Sequence, residues 1–540
     1  MVNTQLFKTI KGKLLPQTDT LNKAGGRAYQ YSPYHQLAQL AATGCLNQTF
    51  YANASTQLKT VLELTQSIDT EFIAKTAVYA RESGYMKDMP ALLTAVVAQR
   101  DTELLSQVFG RVINNGKMLR NFVQIVRSGA TGRKSLGTRP KKLVQQWLLN
   151  ATEKQLLNAA VGNQPTLADI VKMVHPTPQE AWRRAWFGWL LGREYDADAL
   201  PPVTRAFEQF KSALREGQIV VDLPDVPFQM LTALPLTCGQ WAAIARNGSW
   251  QMVRQNLNTF ARHGVFTIPG MTELVAEKLR DENAIAKAAV MPYQLMVAYQ
   301  ATCAAINAAN YLSTDKKGYA VPQQVCDALQ DAMEIALANV PVINGQVVVC
   351  PDVSGSMASP VTGYRQGATT SVRCVDVAAL VAAALVRKNP QTQVVPFEVD
   401  VRQVGINPRD TVLTNANKMA DLCGGGTNVS APLKWLNKGN VDVDLIVIVS
   451  DNESWMVSRH YGASKTMLEW EKLKKRCPRA RLVCLDIQPY NSTQAKEHDD
   501  IMNIGGFSDA VFDAIAAFAS GHTETDYWVN TIKQVALTEH

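Results

Sequence analysis

Around position 350 the sequence reads Gln346-Val347-Val348-Val349-Cys350-Pro351-Asp352-Val353-Ser354-Gly355-Ser356-Met357, a β-branched run ending in a carboxylate and two hydroxyls. On a glycine-containing turn, these groups are hard oxygen ligands, suited to Mg²⁺ or Mn²⁺, with Ca²⁺ a further candidate, rather than to Zn²⁺. Two more oxygen groups follow: Thr427 in Gly424-Gly425-Gly426-Thr427-Asn428, and Asp451 in Ser450-Asp451-Asn452-Glu453. Asp352, Ser354, Ser356, Thr427 and Asp451 are therefore expected to hold one divalent cation, with Asn452 and Glu453 beside them. No histidine or lysine base accompanies the motif, and the chain has no phosphate loop, dinucleotide fingerprint or nucleophile elbow. The chemistry predicted is binding, not catalysis.

Such a shell needs elements that converge. Apolar runs at 347–349, 394–397, 445–449 and 482–485 read as buried strands. They alternate with helical patterns at 374–388, from 424 to about 436, at 465–476 and at 508–519. This βαβ order predicts a doubly wound parallel sheet, which gathers ligands at the carboxyl ends of its strands. The order Asp-x-Ser-x-Ser, Thr, Asp is similar to the metal-ion-dependent adhesion site (MIDAS) of von Willebrand factor A domains. That resemblance implies a cation with an open position for an acidic group of a protein partner.

A second stretch could do different chemistry. Between 104 and 152 there is no Asp or Glu, while Arg111, Lys117, Arg120, Arg127, Arg133, Lys134, Arg139, Lys141 and Lys142 all fall there. Glycine-rich backbone beside guanidinium and ammonium groups suits phosphate contacts; a solvated basic loop without a partner is the alternative. Lys172, His175, Arg183 and Arg184 form a further basic group. Trp182, Trp186 and Trp189 fall on one helical face and read as core, with Arg183 and Arg184 pointing away from it.

The elements carrying these cations read as helices, at 55–68, 69–83, 102–113, 141–149, 178–191, 202–216, 250–260, 293–310 and 323–339, with no convincing strand. Short breaks between them suggest stacked antiparallel pairs of the HEAT kind. The expected organisation is a helical region at 1–344, an α/β domain at 345–520 and a tail at 521–540. Residues 1–350 carry 35 Lys and Arg against 26 Asp and Glu, and residues 351–540 carry 19 against 21, so a polyanion should meet the helical region. Nine cysteines are scattered without a Cys-x-x-Cys pair; several in apolar runs, such as Cys350 and Cys484, read as small buried hydrophobes, and the expected setting is reducing and cytoplasmic. The lysine-bearing start has no apolar core of a signal peptide, and no run is long enough for a membrane helix.

The combination resembles the TROVE-module proteins, the Ro autoantigen family. The resemblance rests on Ala80-Arg81-Glu82 through Met89-Pro90-Ala91-Leu92, on Asp169-Ile170-Val171-Lys172-Met173-Val174-His175-Pro176, on Arg254-Gln255-Asn256-Leu257, and on Val275-Ala276-Glu277-Lys278-Leu279 through Pro292-Tyr293-Gln294. It implies a HEAT-like helical ring closed by an A domain. The implied activity is non-enzymatic: binding Y-like small non-coding RNA on the outer surface and single-stranded ends of misfolded RNA through the centre, for RNA quality control. A monomer working with a protein such as an exoribonuclease is also implied. His175 looks like the family histidine placed near Y RNA, whereas Asn158 and Gly162 stand where animal members carry basic residues. The rival reading is a metal-dependent protein adaptor with no RNA role.

Overall fold

In the computed structural model the valine run at 347–349 lies inside a five-stranded parallel sheet. The structure describes residues 15–43, 46, 53–218, 222–288, 290, 292–312, 320–337, 340–361, 372–451, 453, 464–506, 509–521 and 526–537. The described strands are β1 (Thr20–Leu21), β2 (Arg27–Gln30), β3 (Val347–Pro351), β4 (Gln393–Val394), β5 (Leu445–Ser450), β6 (Arg481–Asp486), β7 (Ser492–Thr493) and β8 (Ile501–Gly505). The main sheet runs β4-β3-β5-β6-β8, parallel throughout. β3 and β5 are buried along their whole length, which is why they read as continuous apolar runs rather than alternating ones; β8, equally buried but broken by Asn503, was not among the expected strands.

Both faces of the sheet are covered. Val348, Cys350, Ile446, Ile448, Leu482 and Cys484 share a core with Leu433, Trp470 and Leu473 from the helices Ala431–Lys438 and Lys465–Arg476. The helix Cys374–Lys388, buried along almost all of its length, packs on β3, β4 and β5. The doubly wound expectation holds.

The N-terminus departs from the expected absence of strands. β1 pairs antiparallel with β2, and β2 pairs with β7 through Tyr29 opposite Thr493 and Gln30 opposite Ser492. Tyr29 is wholly buried and joins the A-domain core. Strands of two and four residues are too short to show a period, and the partner of β2 lies more than 460 positions along the chain. One compact unit comprises residues 1–64, 282–301 and 329–531; the other comprises 65–281, 302–328 and 532–540.

After α1 (Pro33–Thr43) in the first unit and α2 (Ala54–Gln66), the second unit opens with α3 (Thr70–Glu82), α4 (Asp88–Arg100), α5 (Thr102–Val112), α6 (Gly116–Ser128), α7 (Thr138–Asn150), α8 (Glu153–Ala160), α9 (Leu167–Val174) and α10 (Ala181–Leu191). α3 packs on α4 and α5, α4 on α6, α5 on α7, and α6 on α8 and α9, the two-layer stacking expected of helical repeats. α6 shows how the sequence sets this. Asn115 caps its N-terminus by accepting from the Met118 N–H, and Gly129 ends it in the left-handed region at φ 78°. Between them Met118, Leu119, Phe122, Val123 and Val126 form one buried face, each stabilising by about 1.5–3 kcal/mol when fully buried. Asp69 and Thr166 are N-caps as read, the latter in a capping box with Asp169.

Two other readings change. Arg183 does not point outward: it is 4% exposed, and its Nη1 donates to the carbonyls of Leu148 (3.0 Å) and Ala151 (2.7 Å) at the end of α7. Those carbonyls have lost their helical partners, and a guanidinium supplies several donors at once. Cys303 and Cys326 form a disulfide, which their separation of 23 residues did not signal. The tail contains a helix, Tyr527–Lys533, whose Trp528 Nε1 donates to the Gly505 carbonyl at 3.0 Å. Trp186 is fully buried as expected, its Nε1 donating to Thr204 Oγ1 at 3.1 Å. No described helix is long and apolar enough to cross a membrane.

Candidate functional site

The register of β3 against β5 sets the oxygen cluster. Pro351 lies opposite Val449, so Asp352, just past the end of β3, stands beside Ser450, the last residue of β5. Asp352 N–H donates to the Val449 carbonyl (2.8 Å), and Ser450 Oγ donates to Asp352 Oδ2 (2.5 Å). The chain then turns: Ser354 N–H donates to Asp352 Oδ1 at 2.8 Å, and Ser354 Oγ lies 3.3 Å from Ser356 Oγ. The Ser356 hydroxyl hydrogen-bonds the Asp451 carboxylate, whose Oδ1 also accepts from the Glu453 N–H at 3.1 Å. The glycine-rich loop is tied to the same turn, Gly355 N–H donating to the Gly425 carbonyl (3.0 Å) and Gly424 N–H to the Val353 carbonyl (2.8 Å). Gly425 sits at φ +74°, and a Cβ there would collide with the Glu398 carboxylate. Two residues on, Thr427 is buried beside the cluster's loop.

All five predicted ligands are at most 6% exposed. Burial, and then the charge of Asp451, push the Asp352 carboxyl up to about 7. Burial also raises Asp451, against the opposing bonds from Ser356 and the Glu453 amide. Among the described residues neither carboxylate is ion-paired with Lys or Arg. Two desolvated carboxylates and three hydroxyls with no fixed cation are a donor set that fits a hard divalent ion and no softer one.

Glu453 belongs to this cluster more closely than its position in the sequence indicated. It is fully buried; its Oε2 accepts from the Ala24 N–H at 3.1 Å, and its Oε1 has no partner among the described residues. Burial and the Asp451 charge push it up to about 8. Ser450 was not foreseen. A polar residue closing an apolar strand was its one signal, whereas the bond from Ala24, 429 positions away, left none. Asn452 lies outside the described residues.

The basic residues divide into two groups. Lys117, Arg127, Arg133, Lys134, Arg139, Lys142, Lys172 and His175 are exposed, and Lys141 is half-buried. Arg127 on α6 and Lys172 on α9 stand close enough to Asp169 to help the Thr166 bonds lower its carboxyl. Lys117 lies near Lys87 and Arg81, and their charges add to burial in lowering Lys87, which was not singled out from the sequence. His175 ends α9 in the left-handed region, at φ 53°.

Arg111 and Arg120 are instead engaged. Arg111 donates to Glu82 Oε1 and Oε2 at 2.8 and 2.7 Å. Arg120 is half-buried, donates to the Ala159 carbonyl and lies against Gly162, where a Cβ would be 2.6 Å from its Nη2. Asn158 Nδ2 donates to the Lys154 carbonyl at 2.7 Å.

The parallel sheet, with an oxygen cluster at the ends of its strands, has the architecture of a von Willebrand A domain, and stacked helices form the other unit. Residues 346–519 match the model of the Ro60 vWA domain family. Over 550 aligned residues the chain is 26% identical to a protein of Deinococcus radiodurans named RNA-binding protein RO60, covering 96% of this chain and 99% of that one. A Caenorhabditis elegans protein of the same name is 22% identical over 250 residues, covering 46% of this chain and 36% of that one. The crystal structure of the Deinococcus radiodurans RO (RSR) protein superposes with a TM-score of 0.63 at 21% identity, covering 91% of this chain and 100% of that chain. The Ro-like resemblance therefore extends over nearly the whole chain.

Proposed function

We propose that this protein is a non-enzymatic RNA-binding scaffold that holds Y-like small non-coding RNA and single-stranded ends of misfolded RNA, serving RNA quality control. The observation that carries the proposal is the exposed set Lys117, Arg127, Arg133, Lys134, Arg139, Lys142, Lys172 and His175, spread over α6, α7, α9 and the α6–α7 connection within one unit. Exposed cations on helices that pack together suit a backbone of phosphates, and the relative named for RNA binding supports the same reading. Freshly purified protein should carry nucleic acid, visible in its absorbance ratio and identifiable by sequencing. For five phosphate contacts to single-stranded RNA, log affinity should fall against log salt with a slope of about −3.5. A salt-indifferent affinity would overturn the reading.

The oxygen cluster favours a second role for the same molecule. With Mg²⁺ or Mn²⁺ held by Asp352, Ser354, Ser356, Thr427 and Asp451, the ion would offer a coordination position to a carboxylate of a protein such as an exoribonuclease. The chain's own residues would fix the ion and exclude water around it. Partner capture that requires divalent cation and fails in Asp352→Ala, from protein free of nucleic acid, would favour the adaptor reading alone.

A further inference from the structure

Between α5, α7 and α8 the surface opens into a cavity of about 290 Å³, lined on one side by Phe109 and Gly110 and on the other by Leu143, Gln146, Trp147 and Asn150. Its shape follows from helical spacing: on α7, Arg139, Leu143, Gln146 and Asn150 recur every three or four residues, placing a cation, an apolar side chain and two amides along one stripe. Opposite them Gly110 has open space where a Cβ would stand, so α5 leaves the mouth wide. A neighbouring cavity shares Ser106 and Gly110 and continues along α5 past Arg111 and Asn114. Arg139 reaches across from α7, its Nε donating to Ser106 Oγ at 2.7 Å.

The lining suits one class of group. The volume sits at the small end of ligand sites, room for a base or a nucleoside but not for a folded element. An apolar floor beside a half-buried tryptophan suits a flat aromatic ring. Among the described residues the side-chain amides of Gln146 and Asn150 have no hydrogen-bond partner, leaving donors and acceptors for a base edge. The surrounding stretch, 104–152, has no acid to repel a phosphate, and Arg139 and Lys142 stand along the same helix. None of these features discriminates strongly among bases, because stacking tolerates any π-face.

We propose that this α5–α7 cavity is a subsite for one unstacked nucleobase of single-stranded RNA, with Trp147 as its stacking partner and Gln146 and Asn150 at its edge. The subsite rests on the RNA-binding reading and adds to it a place where an RNA base, not only its backbone, is held.

The test is the affinity of the full chain for labelled oligoadenylate and oligouridylate, measured across a salt series for the wild type, Trp147→Leu, Trp147→Phe and the double variant Gln146→Ala/Asn150→Ala. Losing the stacking plane should weaken binding roughly 5- to 150-fold, the effect of one stacked base, with the salt slope unchanged because no phosphate contact is lost. Trp147→Phe should keep most of the affinity, and the double variant should lose less than Trp147→Leu. Wild-type binding with unaltered affinity in Trp147→Leu would overturn the subsite, leave the RNA-binding reading standing and point to a protein segment as occupant. Equal losses in Trp147→Leu and Trp147→Phe, or a changed slope, would also overturn it, by showing a structural effect. No binding by the wild type would remove both readings.

Discussion

The two compact units handle charge in opposite ways. In the helical unit the cations of α6, α7 and α9 stand in water, most of them unpaired, and the helices beneath them are held by apolar faces such as that of α6. In the A-domain unit the clustered carboxylates are inside: Asp352, Asp451 and Glu453 are at most 4% exposed. His35, 4% exposed, lies 3.1 Å from both Glu497 and Asp526. An exposed cation is screened and acts additively with its neighbours. A buried one is strongly coupled to its partners, so removing a single group there has a large effect. On the proposed reading, one unit would make many weak contacts with an extended polyanion and the other one strong contact with a small ion.

The largest effect should come from His35. Burial alone would lower its pKa, but the carboxylates of Asp526 and Glu497 outweigh burial and raise it to about 9, while its ring stacks on Tyr31 and its Nε2 lies 2.9 Å from Gln39 Nε2. A raised folded-state pKa means stability that is complete below the ordinary histidine value of 6.5 and is lost as pH rises through about 9. Denaturant unfolding should therefore show the wild type exceeding His35→Gln by about 3 kcal/mol near neutral pH and below, with the gap closing above about pH 9. A gap independent of pH would show that the buried charge is not the source.

Next in size is the response to divalent cation. Mn²⁺ or Mg²⁺ at about a hundred times its dissociation constant should stabilise the wild type by about 2.7 kcal/mol in thermal melts. Asp352→Asn and Asp451→Asn should each abolish most of that response while leaving affinity for RNA within about twofold, since exposed and buried charges belong to different units. An undiminished melting shift in both variants would remove the cation site.

The helical unit should yield its own large effect only where its interior is touched. At Gly116 a Cβ would collide with Ala159, whose backbone faces the start of α6, so Gly116→Ala forces α6 and α8 apart. Overpacking of this kind destabilises by about 1–3 kcal/mol. Calorimetry should show that loss with no change in the cation response. A neutral substitution would mean that α8 can shift freely against α6.

Much of this was readable in the residues. β3 and β5, buried on both faces, announce themselves as unbroken apolar runs, and the Asp352 and Asp451 segments each end such a run; Thr427 was read from its glycine-rich loop, and β8, broken by Asn503, was missed. Helices with one apolar face, and caps such as Asp69 and Thr166, are local signals and were legible for the same reason. What escaped was non-local. The pairing of Tyr29 with Thr493, the hold of Ala24 on Glu453 and the disulfide between Cys303 and Cys326 depend on partners that no local pattern names. Nor does composition separate an exposed arginine from one that serves a helix end. Arg133 and Arg183 are alike in sequence, yet one is solvated and the other holds the carbonyls of Leu148 and Ala151.

That last distinction sets the smallest effect and the finest test of the contrast between the units. Each phosphate contact to single-stranded RNA contributes about 0.7 to the salt slope, and the energetic loss from one exposed cation is modest. Arg133→Gln, Lys142→Gln and Lys172→Gln should each flatten the slope by about 0.7 and leave thermal stability within about 0.5 kcal/mol. Arg120→Gln should do the reverse. Its guanidinium already serves the Ala159 carbonyl and fills the space beside Gly162, so the variant should melt earlier while its slope stays that of the wild type. Arg111, held by both oxygens of Glu82, should behave like Arg120 but more weakly, because that pair is more exposed. Equal slope changes across both sets would mean that RNA draws Arg111 and Arg120 out of their intramolecular bonds. Inside and outside charge would then not be separate devices in this unit.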